Sequence, residues 1–246
     1  MKKIISLFIA AALCAGNAMA LDNEPEEGFT YMGLFGLNVT KIQNSGYGTK
    51  AGAMMGGRVD YMLPNAHGTY ITAGLDWTMK GGKTSVYSDI DGTEHKGTIK
   101  YALHYFELPI RVGFRYNIID DLGIYGEVGP YFAVGIGGKH KCSIGDGEEI
   151  SKIEDDLTFK AFKNRTDLEH MTFQRWDSGI GFRVGAEYNE HYNLMLGCDW
   201  GLADLFRNNL RDAYYNNAKE LGIPEEGRSL PRVHNFNFSI TLGYRF

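Results

Sequence analysis

Two carboxylates, Glu107 and Glu127, stand in segments whose residues alternate between apolar and polar, at positions of the same polar parity. Paired carboxylates are what general acid–base chemistry requires. Arginines at the same parity, Arg111, Arg115 and Arg183, offer a simpler role for both acids, which is charge pairing. A Ser–His pair for lipid hydrolysis could be drawn from Ser178 and His104, but nothing in the sequence brings the two together. Lys139-His140-Lys141-Cys142 holds two metal-ligand types where a metal site needs three or four. The chain is therefore read as a non-enzyme, with no cofactor and no metal.

The charges themselves carry more information. On the polar parity lie the acids Asp60, Asp76, Glu107, Glu127, Asp177, Glu187 and Asp199. The bases there are Arg58, Lys80, Arg111, Arg115, Arg183 and Arg245. If that parity faces an interior, its charges must be paired and hydrogen-bonded. The expectation is an ion-pair network centred on Glu107, Arg111, Glu127, Arg183 and Glu187 and extended by Arg115, Asp199 and Arg245. Such a network is either a polar plug that fixes strand register or a gated conduit for ions. The plug is favoured, because a closed ring of eight strands leaves an interior just wide enough for side chains.

The elements that must hold these charges are strands. From Asn235 to Phe246 apolar and polar residues alternate without interruption: Phe236, Phe238, Ile240, Leu242, Tyr244 and Phe246 against Asn235, Asn237, Ser239, Thr241, Gly243 and Arg245. Successive strand side chains point to opposite faces, so the segment has one apolar and one polar wall. The same pattern predicts strands over about 29–42, 49–63, 69–83, 98–117, 123–139, 175–188 and 192–204. Connections alternate between longer loops (43–48, 88–97, 141–174, 205–232) and short turns (64–68, 118–122, 189–191). This is the pattern of an all-β, eight-stranded antiparallel up-and-down transmembrane β-barrel with short periplasmic turns and longer extracellular loops. Within the last loop, Arg211 to Leu221 has helical spacing, and Phe159 and Phe162 in the preceding one could dock on the rim.

Composition agrees. Of 246 residues 32 are Gly, 15 Tyr and 14 Phe, and the net charge of -5 is too small to imply a nucleic-acid partner. A mean hydropathy of -0.27 does not exclude a membrane barrel, whose strands are only half apolar. Met1-Lys2-Lys3, an apolar run and Ala18-Met19-Ala20 describe a signal peptide over 1–20, followed by a tail over 21–28 and the barrel over 29–246. Cys142 is expected in a loop and Cys198 on a lipid-facing strand position, a poor geometry for a disulfide.

Aromatic residues sort into two levels. Tyr61, Tyr116, Tyr188, Tyr192 and Tyr244 fall at the turn ends, and Trp77, Trp176 and Trp200 toward the loop ends, all at apolar parity. Eight residues separate Tyr192 from Trp200; at ~3.4 Å per residue and a tilt of ~40° that spans roughly 21 Å of membrane. Gly243, Tyr244 and Phe246, on a last strand that ends in an aromatic residue, resemble the terminal signal read by the barrel-assembly machinery.

Lys80-Gly81-Gly82, Tyr105-Phe106-Glu107-Leu108-Pro109-Ile110, Gly126-Glu127-Val128-Gly129-Pro130-Tyr131 and Leu242-Gly243-Tyr244-Arg245-Phe246 together resemble the PorT-like outer-membrane β-barrel family of Bacteroidota. The resemblance covers most of the chain apart from its long loops. It implies an eight-strand barrel of the bacterial outer membrane without a catalytic set, in a family whose founding member serves protein secretion. The expected partners are outer-membrane lipid, the assembly machinery through the last strand, and envelope or secretion proteins through the loops. No nucleic acid is expected, and the barrel is expected to be a monomer.

Overall fold

The computed structural model describes residues 28–90, 93–143, 158–162 and 172–246. The expected signal peptide, most of the tail and much of the 141–174 loop lie outside them. Nine antiparallel strands appear: β1 (Gly28–Gln43), β2 (Lys50–Met62), β3 (Thr69–Ile90), β4 (Thr93–Ile119), β5 (Leu122–Ser143), β6 (Phe159–Lys160), β7 (Trp176–Tyr188), β8 (Tyr192–Gly201) and β9 (His234–Arg245). One helix, α1 (Asn208–Glu220), and a single 3-10 turn lie between β8 and β9. β4 pairs with β5 and β1 with β9, so eight strands form a closed ring, with the two-residue β6 added to the upper edge of β5.

The ladders fix the geometry of the ring. Stepping between directly opposed residues gives Gly28, Met62, Tyr70, Gly113, Glu127, Arg183, Gly197, Ser239 and then Asn38 on β1 again. The path returns 38 − 28 = 10 residues above its start. That stagger over eight strands corresponds to a tilt of about 40° and an interior that side chains can fill. The alternation determines which side chains those are. Phe35 is 56% exposed, Leu242 61% and Trp200 56%, whereas Arg111, Arg183 and Asp199 on the other parity are almost wholly buried. The greasy wall is outside and the charged wall inside.

Several expected boundaries move. The expected loop over 88–97 is strand: β3 and β4 continue as a hairpin to the pair Ile90↔Thr93. Above the apolar band a ladder needs only its backbone hydrogen bonds, so the apolar pattern fades while the strands persist. β5 likewise continues to Ser143, which puts Cys142 in a strand and not in a loop. A bulge gives β5 one extra residue, Ile136, between the pairs His104↔Gly137 and Tyr105↔Gly135. The parity of β5 reverses there, so His140 and Cys142 turn inward. β8 stops at Gly201 rather than Asp204, and α1 begins at Asn208, three residues before the helix read from spacing. Cys142 and Cys198 are both free thiols.

No helix among the described residues is long and apolar enough to cross a membrane, which says nothing of strands. The outer wall predicts a graded response to charge. Ile110→Arg, at mid-height, should lower stability by about 2–4 kcal/mol, and Ile119→Arg, at a turn, by less than about 1 kcal/mol. Urea titration of the barrel refolded in phospholipid vesicles measures both; equal losses would place Ile110 away from hydrocarbon.

Candidate functional site: the charged lumen and its cap

Among the described residues thirteen inward strand positions carry charge, seven acids and six bases, each nearly or fully buried. They form three tiers along the barrel axis. At the turn end Arg245 bonds Glu187 through two nitrogens at 2.5 and 2.6 Å, with Arg115 3.5 Å from the same carboxylate and 3.8 Å from Asp60. Beside it Arg58 lies 2.7 Å from Glu127, which also accepts the Tyr70 hydroxyl at 2.7 Å. In the middle Arg111 meets Asp199 at 3.2 Å and Arg183 meets Asp76 at 3.6 Å, while Asn237 donates to Asp199. At the loop end Lys80 is shared between Glu107 at 2.8 Å and Asp177 at 3.3 Å. Asn235 and Tyr131 donate to Asp177 as well.

The five residues expected to centre the network do not pair with one another. Glu107 goes to Lys80, Glu127 to Arg58, Glu187 to Arg245 and Arg115, Arg111 to Asp199, and Arg183 to Asp76. Lys80, Arg58, Asp60, Asp76 and Asp177 were legible as inward charges, but their place as partners depends on which strands the stagger brings level. An opposed pair on neighbouring strands, Glu127↔Arg183, even passes over its direct neighbour for partners across the lumen.

Tyrosines fill the remaining space. A Cβ on Gly113 would come within 2.4 Å of the Tyr70 ring, one on Gly185 within 2.4 Å of Tyr125, and one on Gly179 within 2.6 Å of Tyr131. Each ring lies over a glycine of an adjacent strand and fills the space a side chain would take there. The rings also face cations, with Lys80 4.3 Å from the centroid of Tyr131 and Arg115 5.2 Å from that of Tyr70.

Above Lys80 the interior changes from polar to apolar. Ile42, Tyr101, Leu103 and Tyr105 from the strands meet Phe162, Phe173, Leu205, Phe206, Leu210 and Val233 from the loop segments and α1. Phe162 packs edge-on to Tyr105 at 5.5 Å, and Phe173 stacks on Phe206 at 5.7 Å. Arg207 donates to the carbonyls of Phe173 and Phe162 and ties the two loop segments together. Burial raises the phenol pKa values of Tyr47 and Tyr101 in this cap, so both remain neutral. Phe159 stacks on His140 at 4.5 Å, so both phenylalanines read as rim contacts lie over the mouth.

The other expected site residues are placed as follows. Trp77, Trp176, Trp200, Tyr61, Tyr116, Tyr188, Tyr192 and Tyr244 are all on the outer wall, Trp176 being 70% and Tyr188 60% exposed. Tyr244 packs against Tyr192 and Phe246 at 5.6 and 5.2 Å. Phe246 donates its backbone N–H to the Tyr31 carbonyl, and a Cβ on Gly243 would strike Met32. His104 stacks on Trp77, with β5 between it and Ser178 on β7. His140 and Cys142 face inward while Lys139 and Lys141 face out, and no metal-holding group of three His, Cys, Asp or Glu occurs among the described residues.

The family model described as "Outer membrane protein beta-barrel domain" matches residues 8–246. No curated protein matches the sequence. Among solved structures the chain is similar to Ail, the attachment invasion locus protein of Yersinia pestis (15% identity, 90% of this chain and 100% of that one, TM-score 0.39). It is also similar to the outer membrane protein OprG from Pseudomonas aeruginosa (12%, 91% and 98%, 0.40) and to Neisserial surface protein A (9%, 90% and 98%, 0.40).

The Lys80 tier yields a prediction. Lys80→Met leaves Glu107 and Asp177 buried with no cation bonded to either and should cost about 3–5 kcal/mol. Adding Glu107→Gln and Asp177→Asn should recover most of that loss in the same urea titration. A Lys80→Met barrel as stable as the parent would show that the tier is not held by charge.

Proposed function

The chain belongs to the outer membrane protein beta-barrel domain family, and from that premise we propose that it is a non-conducting monomeric barrel with a structural or interaction role, accessory to secretion or to envelope organisation. One observation carries this reading: the lumen is filled twice over, by the ion-paired tiers and by the apolar cap above them. A pore needs continuous water along its axis, and side chains as buried as Arg183, Lys80 and Tyr105 leave no such path at their levels. The catalytic alternative finds no support in the placement of His104 and Ser178. Partner binding then falls to the parts beyond the membrane, the β3–β4 hairpin, the extension of β5 and the cap with α1. The resemblance to PorT-like barrels, and through it a secretion partner, belongs to this proposal, as do signal-peptide cleavage after Ala20 and delivery by the assembly machinery.

Planar-bilayer recording tests the seal. The purified barrel should produce no discrete conductance steps, and Glu107→Gln and Arg111→Gln should leave the trace flat. Steps that change with either substitution would make the lumen a narrow ion channel. Crosslinking from the hairpin in intact cells, followed by mass spectrometry, should recover an envelope or secretion protein; crosslinks confined to lipid would remove the interaction role.

A further inference from the structure

Outside the membrane band, three lysines stand in one cross-strand row. Lys83 on β3 is directly opposed to Lys100 on β4, and Lys100 to Lys141 on β5. All three are exposed. They lie on the outer face, since the parity runs on from Trp77 to Lys83 and from Phe106 to Lys100. Two residues lower on β5, on the same face, Lys139 is opposed to Lys160 of β6, again with both exposed. Like charges directly opposite each other on adjacent strands are destabilising, and here five occur in two rows of the same face. Among the side chains that the structure describes, no carboxylate forms an ion pair with any of them. Lys50 of β2 joins the cluster: burial and the nearby Lys100 lower its pKa.

The height of the row identifies what would neutralise it. Lys83 is six residues beyond Trp77, and Lys100 six beyond Phe106, which Trp77 directly opposes. At ~3.3 Å per residue and a tilt of ~40°, the row lies about 15 Å above the tryptophan level. Lys139 is two residues lower on β5, and a lysine side chain reaches several ångströms further toward the membrane. This is the zone of lipid headgroups, on the side that the loops assign to the cell exterior. The exterior leaflet of a bacterial outer membrane presents phosphorylated glycolipid.

We propose that Lys83, Lys100 and Lys141, flanked by Lys139, Lys160 and Lys50, form a docking surface for the phosphorylated sugar headgroup of outer-leaflet glycolipid. The proposal rests on the loops-outward orientation of the barrel and not on whether the lumen conducts. The bound phosphates offset the repulsion along the row, and the row holds the β3–β4–β5 extension against the headgroup layer.

The test uses the mature chain refolded in detergent, with loss of the compact, faster-migrating gel form on heating as the readout. Bis-phosphorylated lipid A should raise the midpoint of the parent, and dephosphorylated lipid A should not. Lys83→Gln/Lys100→Gln/Lys141→Gln should melt higher than the parent without lipid. It should also lose the lipid A gain, with affinity weaker by roughly 10- to 100-fold. The corresponding triple Lys→Arg variant should keep the gain. Should the Gln triple not fold, Lys139→Gln/Lys160→Gln reads the second row independently. Three results would each overturn the proposal: an undiminished lipid A gain in the Gln variants, an equal gain from dephosphorylated lipid A or phosphatidylglycerol, or a Gln triple that melts lower without lipid, which would mean the chain's own carboxylates neutralise the row.

Discussion

Closure of the sheet is the constraint on which the rest depends. In hydrocarbon an unpaired backbone N–H or C=O costs several kcal/mol, so a sheet that crosses a membrane cannot keep an edge. The β1–β9 ladder removes the last edge, from Met32↔Arg245 up to Gln43↔His234. Closing eight strands at a stagger of ten residues then sets the tilt, and the tilt sets the bore. A bore that narrow brings inward side chains from opposite walls into contact. Charges there cannot be solvated in bulk water and must find one another, as the pairs of Lys80 with Glu107 and Arg58 with Glu127 do.

Charges in that interior contribute to register more than to stability. A buried ion pair is at best weakly stabilising against an apolar pair of equal volume, yet breaking one is expensive. Slipping one strand by a single residue would turn its charges to lipid and its leucines to the lumen. The polar tiers therefore penalise every wrong alignment of the ring. The tyrosines laid on Gly113, Gly185 and Gly179 act in the same direction, because each ring has a seat only in the native register.

Toward the loop end the solvent changes and so does the means of holding the structure together. Loop segments and α1 are outside lipid and can bury apolar surface from water, so the mouth closes with Phe162, Phe173, Phe206 and Leu205. The strands of β3, β4 and β5 no longer need an apolar wall at that height. They continue as a sheet whose outer face carries lysines in place of leucines. The wall thus alters with the medium at each level: apolar within the band, where aliphatic side chains stand beside Phe35, Phe182 and Phe238, and cationic above it.

Much of this was legible in the sequence. The number of strands in the ring, their antiparallel order and the sense of each wall follow from a period of two, a property that neighbouring residues settle between themselves. The helix near Leu210 and the docking of Phe159 and Phe162 were legible for a similar reason, as local apolar spacing. What the sequence left open depends on alignment between distant segments. Which arginine meets which carboxylate follows from the stagger of ten, a sum over all eight ladders that no single strand encodes. The inward turn of His140 and Cys142 follows from one extra residue at Ile136, visible only once β4 is laid beside β5. Local chemistry determined which face each side chain takes, and the closure of the ring decided what it meets there.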